Sequence, residues 1–175
     1  MKWRASAVCL LLVLIPLADP AAADMPAAAP PSTLQWRVLD LVNQSRAAGR
    51  RCGREHFPAA PALAPSQALY SAAAAHARDM ASRGYFEHRA PDGSEPKDRV
   101  RRAGYRPRLT GENIAYGPET AEEVVAGWLA SAGHCANIMD PRFRDMGVAV
   151  AQGRKRGQFY WVQDLGTQNL ALPAH

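Results

Sequence analysis

Apolar side chains recur at intervals of three and four residues in several stretches of the chain, and this spacing predicts amphipathic helices. The clearest stretches are residues 33–48, which end before a glycine, residues 66–83, which follow a proline, and residues 120–130. The last begins with the spacing of a capping box, since a threonine is followed three residues later by Glu123. A shorter basic helix is predicted over residues 96–103.

Alternating apolar and polar positions near the carboxyl end predict two strands, over residues 144–151 and 158–165. The glycine-flanked basic segment 153–157 connects them as an antiparallel hairpin. A short strand is predicted over 112–116, and a turn is predicted at 132–133. Because helices precede, separate and flank the strands, we expect an α+β domain with three layers, an α-β-α sandwich.

The first residues have the features of a secretory signal peptide. Lys2 and Arg4 precede an apolar run over residues 5–17, and small residues at 21–23 suit signal peptidase. The alternative, an N-terminal membrane anchor, is disfavoured because the apolar run is too short to span a bilayer. We therefore predict cleavage after residues 1–23 and a secreted or periplasmic protein with no transmembrane segment in the mature chain.

The rest of the chain divides into three parts. Residues 24–32 are rich in alanine and proline and predict a flexible lead-in. The folded domain is expected over 33–168, followed by a C-terminal tail over 169–175.

Cysteine usage agrees with export. Loss of Cys9 with the signal peptide leaves Cys52 and Cys135, and an even pair in an oxidising compartment predicts a disulfide. Two buried free thiols are the alternative.

Three short motifs carry the candidate chemistry, in segments expected to be loops or strand edges. They are residues 84–88 with His88, residues 111–115 with Glu112, and residues 128–138 with His134. Two imidazoles and one carboxylate are a typical ligand set for an open zinc site. The same groups also suit a base with an orienting acid, which is a catalytic arrangement. A third interpretation is structural, with the second and third motifs held together by a Glu112–His134 hydrogen bond.

The order of these motifs resembles the bacterial branch of the CAP superfamily, which is also called SCP. That superfamily comprises cysteine-rich secretory proteins, antigen 5 and pathogenesis-related 1 proteins. The resemblance extends from about residue 34 to 167 and includes Met80, Gly147 and the segment 160–164. It implies an α-β-α sandwich with a cleft that holds two histidines and two acidic groups.

The resemblance assigns His88 as the first cleft histidine, Glu112 as an acid and His134 as the second histidine. One position departs from the pattern. Members outside the bacterial branch often carry a glutamate three residues after the tryptophan, and here Ser131 stands three residues after Trp128. This chain therefore lacks one of the two acids at its expected place.

Four nearby polar residues have simpler interpretations. His76 shares the apolar stripe of its helix and is expected in the core. Asn113 and Asn137 are expected to satisfy backbone groups, because asparagine does not titrate. Ser131 suits a helix cap, and a nucleophilic role would need an adjacent base.

The formal net charge is +5, and two basic clusters contribute to it. Export disfavours nucleic acid as a partner, so anionic envelope or lipid surfaces are the candidates, with a merely solvated surface as the alternative. The clusters are Arg99, Arg101, Arg102, Arg106 and Arg108, and residues 154–156.

The leading hypothesis is an extracytoplasmic binding protein whose cleft takes a divalent cation, zinc or calcium, together with an envelope or lipid ligand. One alternative is a metal-assisted hydrolase of peptides or envelope material. In that case His88, Glu112 and His134 would be catalytic, with Ser131 adjacent. The other alternative is an interaction module without a ligand.

Overall fold

A computed structural model describes residues 32–168. Within this range the chain forms five helices and six strands, whose bounds follow in chain order. They are α1 Thr33–Ala48, β1 Arg50–Cys52, β2 Glu55–Phe57, β3 Ala64–Pro65, α2 Gln67–Arg83, α3 Pro96–Arg102, β4 Pro107–Tyr116, α4 Ala121–Ala130, α5 Ala132–Met139, β5 Asp145–Gln152 and β6 Phe159–Gln168.

The central sheet has the strand order β3-β5-β6-β4, and β1 and β2 form a separate hairpin. Strand β3 runs parallel to β5, whereas the β5–β6 and β6–β4 pairs are antiparallel. Helix α2 packs on one face of the sheet, and α1, α4 and α5 pack on the other. The predicted α+β, three-layer α-β-α sandwich is confirmed.

The period-two pattern assigns the sheet faces as predicted. Trp161 and Leu165 of β6 pack with α1, α4 and α5, while Tyr160 and Val162 pack under α2. Gly147 of β5 lies beneath α2, where a Cβ atom would lie 2.1 Å from the backbone nitrogen of Tyr70. A glycine is required there because the helix backbone approaches the strand too closely for any side chain.

Several local predictions differ from the structure. The strand predicted over residues 112–116 is the second half of β4, and residues 132–139 form α5 instead of a turn. At α4 the Thr120 hydroxyl accepts a hydrogen bond from the backbone N–H of Glu123, as predicted. The Glu123 carboxylate, however, accepts from the backbone N–H of Glu119 and not from that of Thr120. The predicted capping box is therefore only half formed.

The Cys52–Cys135 disulfide is present, with the two Cα atoms 5.4 Å apart, and it joins β1 to α5. No helix among residues 32–168 is long and apolar enough to cross a membrane. The predicted signal peptide, almost all of the lead-in and the tail over 169–175 lie outside the described residues.

Candidate functional site

His88 lies in the loop between α2 and α3, and its imidazole is half exposed. Its Nδ1 atom is 2.8 Å from Oε1 of Glu112, a residue of β4 whose side chain is only 1% exposed. When Nδ1 donates this hydrogen bond, the tautomer is fixed and Nε2 is left free. The first two motifs are thus joined by a hydrogen bond between their side chains.

Arg99 holds the other oxygen of Glu112. Its Nη2 atom donates to Oε2 at 2.6 Å and to the backbone carbonyl of His88 at 2.9 Å, and its Nη1 atom donates to the carbonyl of Ser94. With 7% of its side chain exposed, Arg99 is an interior residue, so its assignment to a surface cluster is wrong. Helix α3 turns this position inward next to the fully buried Val100.

The two histidines have opposite electrostatic environments. The hydrogen bond to Glu112 raises the pKa of His88, although burial and Arg99 oppose this. Burial, followed by repulsion from His88, lowers the pKa of His134. Because each imidazole charge acts on its neighbour, protonation of His88 disfavours protonation of His134.

His134 is placed by helix α5, which the sequence did not predict. Asn113 of β4 donates from Nδ2 to the backbone carbonyl of His134 at 3.2 Å. Asn137 of α5 donates to the carbonyl of Glu112 at 3.3 Å and to Oδ1 of Asn113 at 2.9 Å. Both asparagines satisfy backbone carbonyls, as expected, and they tie the histidine-bearing helix to the strand that carries Glu112.

Two structural expectations about the third motif fail. The carboxylate of Glu112 bonds to His88 and Arg99, and none of the hydrogen bonds of residues 32–168 joins it to the imidazole of His134. Ser131 stands at the N-cap position of α5, but its side chain makes no capping hydrogen bond. His76 is in the core as predicted, 1% exposed, with Nε2 2.9 Å from the carbonyl oxygen of Glu87.

The side chains present limit how a metal ion could be held. Residues 32–168 contain no group of three or more His, Cys, Asp and Glu side chains that could hold an ion. Both oxygens of Glu112 already accept hydrogen bonds, so the imidazoles of His88 and His134 are the remaining donors. A closed or three-ligand zinc site does not fit this arrangement.

Asp164 is a site residue that the sequence did not single out. It lies on β6 directly opposite Glu112 of β4, it is fully buried, and neither carboxyl oxygen has a hydrogen-bond partner among the described residues. Burial, and then the charge of Glu112, raises the pKa of Asp164 well above its ordinary value, and Arg99 offsets only part of this. The signal for Asp164 in the sequence was a polar residue at an inward-facing position of an otherwise apolar strand.

Asp164→Asn should make stability less dependent on pH. Above about pH 4 the unfolded chain releases the Asp164 proton, while the folded chain retains it, so folding loses stability as pH rises through this range. The relevant quantity is the ratio of the unfolding equilibrium constant of the wild type to that of the variant. This ratio should rise about tenfold per pH unit until the pH passes the pKa of Asp164 in the folded protein. Urea denaturation at several pH values measures this ratio.

The control is Asp40→Asn, which removes an exposed carboxylate from α1. Because its side chain is exposed, this substitution should change the free energy of unfolding by less than about 0.5 kcal/mol. A ratio for Asp164→Asn that does not change with pH would show that Asp164 is ionised in the folded protein.

The family model of the cysteine-rich secretory protein family matches residues 39–165. The chain therefore belongs to this family, the CAP or SCP superfamily that the motif order had indicated.

Relatives agree with this assignment. Protein YkwD of Bacillus subtilis is 38% identical over 135 residues, which cover 77% of this chain and 48% of that protein. An extracellular SCP-domain protein of Bacillus anthracis superposes with a TM-score of 0.62 at 28% identity, over 77% of this chain and 40% of the other. NaASP2, crystallised with Zn2+, gives a TM-score of 0.54 at 17% identity, over 81% and 85% of the two chains, and shows the fold alone. This chain spans about half the length of the curated relative.

Proposed function

We propose that the protein is an extracytoplasmic binding protein whose cleft, formed by His88 and His134, holds a divalent cation together with an envelope ligand. The observation that carries the proposal is the buried Arg99–Glu112 pair, which orients a half-exposed imidazole. Fixing one ring in one tautomer prepares it to bind before any ligand arrives. The extracellular SCP-domain protein of Bacillus anthracis supports the location.

Zinc suits the donor set better than calcium does. Imidazole nitrogen is a common zinc ligand, whereas calcium takes oxygen ligands. His88 would bind through Nε2 and His134 through a ring nitrogen, and Glu112 would act through His88 as a positioning residue. The Zn2+ in the NaASP2 crystals supports this choice of metal. With two protein ligands, the affinity should be far below that of a structural zinc site, and the fold should survive chelators.

The envelope or lipid part of the proposal is supported by surface charge. With Arg99 inside the fold, four arginines of the first basic cluster remain exposed, namely Arg101, Arg102, Arg106 and Arg108. Exposed cations of this kind favour anionic surfaces, and salt weakens the attraction.

Zinc titration of four proteins tests the cation site. His88→Ala and His134→Ala should each reduce zinc affinity by at least about tenfold relative to the wild type, because each removes one of two ligands. The control is His56→Ala, which removes an exposed histidine of β2 and should leave binding unchanged. Isothermal titration calorimetry provides the affinities. Equal binding by all four proteins would place the metal elsewhere.

The pH dependence of zinc binding has a definite sign. A protonated imidazole cannot ligate, so binding should be lost as pH falls through the raised pKa of His88. Glu112→Gln removes the group that raises this pKa and should move the midpoint of this loss to lower pH, while weakening binding at high pH. An unchanged midpoint in Glu112→Gln would contradict the positioning role.

A further inference from the structure

Arg46 of α1 is a fully buried arginine to which the structure gives no salt bridge among the described residues. Burial, and then repulsion from Arg144, lowers the pKa of Arg46 to about 10. Its guanidinium donates only to backbone carbonyl oxygens, those of Pro61 at 2.7 Å, Ile138 at 2.6 Å, Asp140 at 3.0 Å and Phe143 at 3.4 Å. The segment between α5 and β5 therefore covers a buried positive charge.

A cavity of about 880 Å³ borders the same segment, at the end of the sheet where β4 begins and β6 ends. We call it the basic cavity, because its charged side chains are three arginines and one aspartate. Its lining includes Arg108, Arg142, Arg144, Asp145, Thr167 and Gln168.

The acids near the basic cavity are already engaged. Asp145 accepts a hydrogen bond of 2.6 Å from the Tyr105 hydroxyl. Asp140 accepts a bidentate hydrogen bond from Arg142, from Nε to Oδ1 at 2.9 Å and from Nη2 to Oδ2 at 2.6 Å. When the buried Arg46, which does not line the cavity, is counted, four arginines and two aspartates lie in this region, which leaves an excess of two positive charges.

Two of the arginines have guanidinium N–H donors that make no hydrogen bond within the described residues. None of the hydrogen bonds or salt bridges of the described residues involves the Arg108 side chain, and Arg144 donates only to the backbone carbonyls of Pro141 and Phe143. Guanidinium groups bind phosphate oxygens in a bidentate manner, and a phosphate monoester carries a charge of about −1.5 to −2 at pH 7. The charge of such a group matches the local excess.

We propose that the basic cavity binds the phosphoryl group of an extracytoplasmic molecule, with Arg108 and Arg144 as its contacts. This site is separate from the His88 cleft and does not depend on cation binding there. A soluble phosphate ester and an anionic lipid headgroup share the required chemistry.

The test is a titration of the wild type with inorganic phosphate at constant ionic strength, monitored by the NMR signals of the arginine Nε–H groups. The chemical shifts of the wild type should change and reach saturation. Arg108→Gln should weaken binding by at least about fivefold, as expected for loss of a charge-assisted contact of about 1 kcal/mol. Its matched control is Arg156→Gln, an exposed arginine of the β5–β6 loop that carries the same charge.

Equal weakening in both variants would show general electrostatic attraction and would overturn the proposal, as would the absence of saturable shifts in the wild type. Co-sedimentation with vesicles that contain phosphatidic acid, a lipid whose headgroup is a phosphate monoester, then distinguishes the sources. Phosphate binding that competes with vesicle binding indicates a lipid headgroup, and phosphate binding without vesicle binding indicates a soluble ester.

Discussion

Arg99→Met is expected to destabilise the protein by about 3–5 kcal/mol, which is the usual cost of removing one partner from a buried ion pair. The substitution leaves the carboxylate of Glu112, 1% exposed, without its cation. It also removes the hydrogen bonds to the backbone carbonyls of Ser94 and His88, so the loop that carries the histidine should loosen. Urea denaturation measures the loss.

The same substitution has an electrostatic signature in the site. Arg99 lowers the pKa of His88, so its removal should raise that pKa further, and an NMR titration of the imidazole detects the change. Adding Glu112→Gln to Arg99→Met should recover part of the lost stability, because the buried charge is then neutralised. Arg101→Met, at an exposed position of the same helix, is the control and should cost less than about 0.5 kcal/mol. Similar losses for both methionine variants would refute the buried ion pair.

Removal of the disulfide should have an effect of similar size. Replacing Cys52 and Cys135 together with alanine is expected to cost about 2–5 kcal/mol, since the bond closes a long loop, with a sequence separation of 83 residues. The loss should appear both in urea denaturation and as a lower melting temperature. Dithiothreitol should lower the melting temperature of the wild type to a similar value and should not change the melting temperature of the double variant.

The disulfide also affects the site. Cys135 directly follows His134 in the first turn of α5, and both sulfurs are buried in the core. Zinc affinity of the double variant should therefore fall even at temperatures where it remains folded. A double variant with wild-type stability would show that the core packing of α5 suffices without the covalent bond.

The long helices were predictable because their signal is local. In α1 and α2 the buried positions recur along one stripe, and a glycine ends each helix. Helix α5 has only eight residues, including a glycine, and it is held by the disulfide and by the Asn137 contacts with β4. Strands β1, β2 and β3 have two or three residues each, too few for a periodic pattern.

The amino-acid sequence by itself determined the family, the layered architecture and the disulfide. Periodicity, cysteine number and motif order are properties of the linear chain and need no knowledge of distant contacts. The tertiary structure alone decided which charges are buried. Arg99 looked like one arginine among five in a basic run, and Asp164 like the end of a short motif. Packing of α3 and pairing of β4 with β6 bring both side chains to Glu112. Burial and pairing depend on neighbours that are distant in sequence, so the electrostatics that orient His88 are a product of the fold.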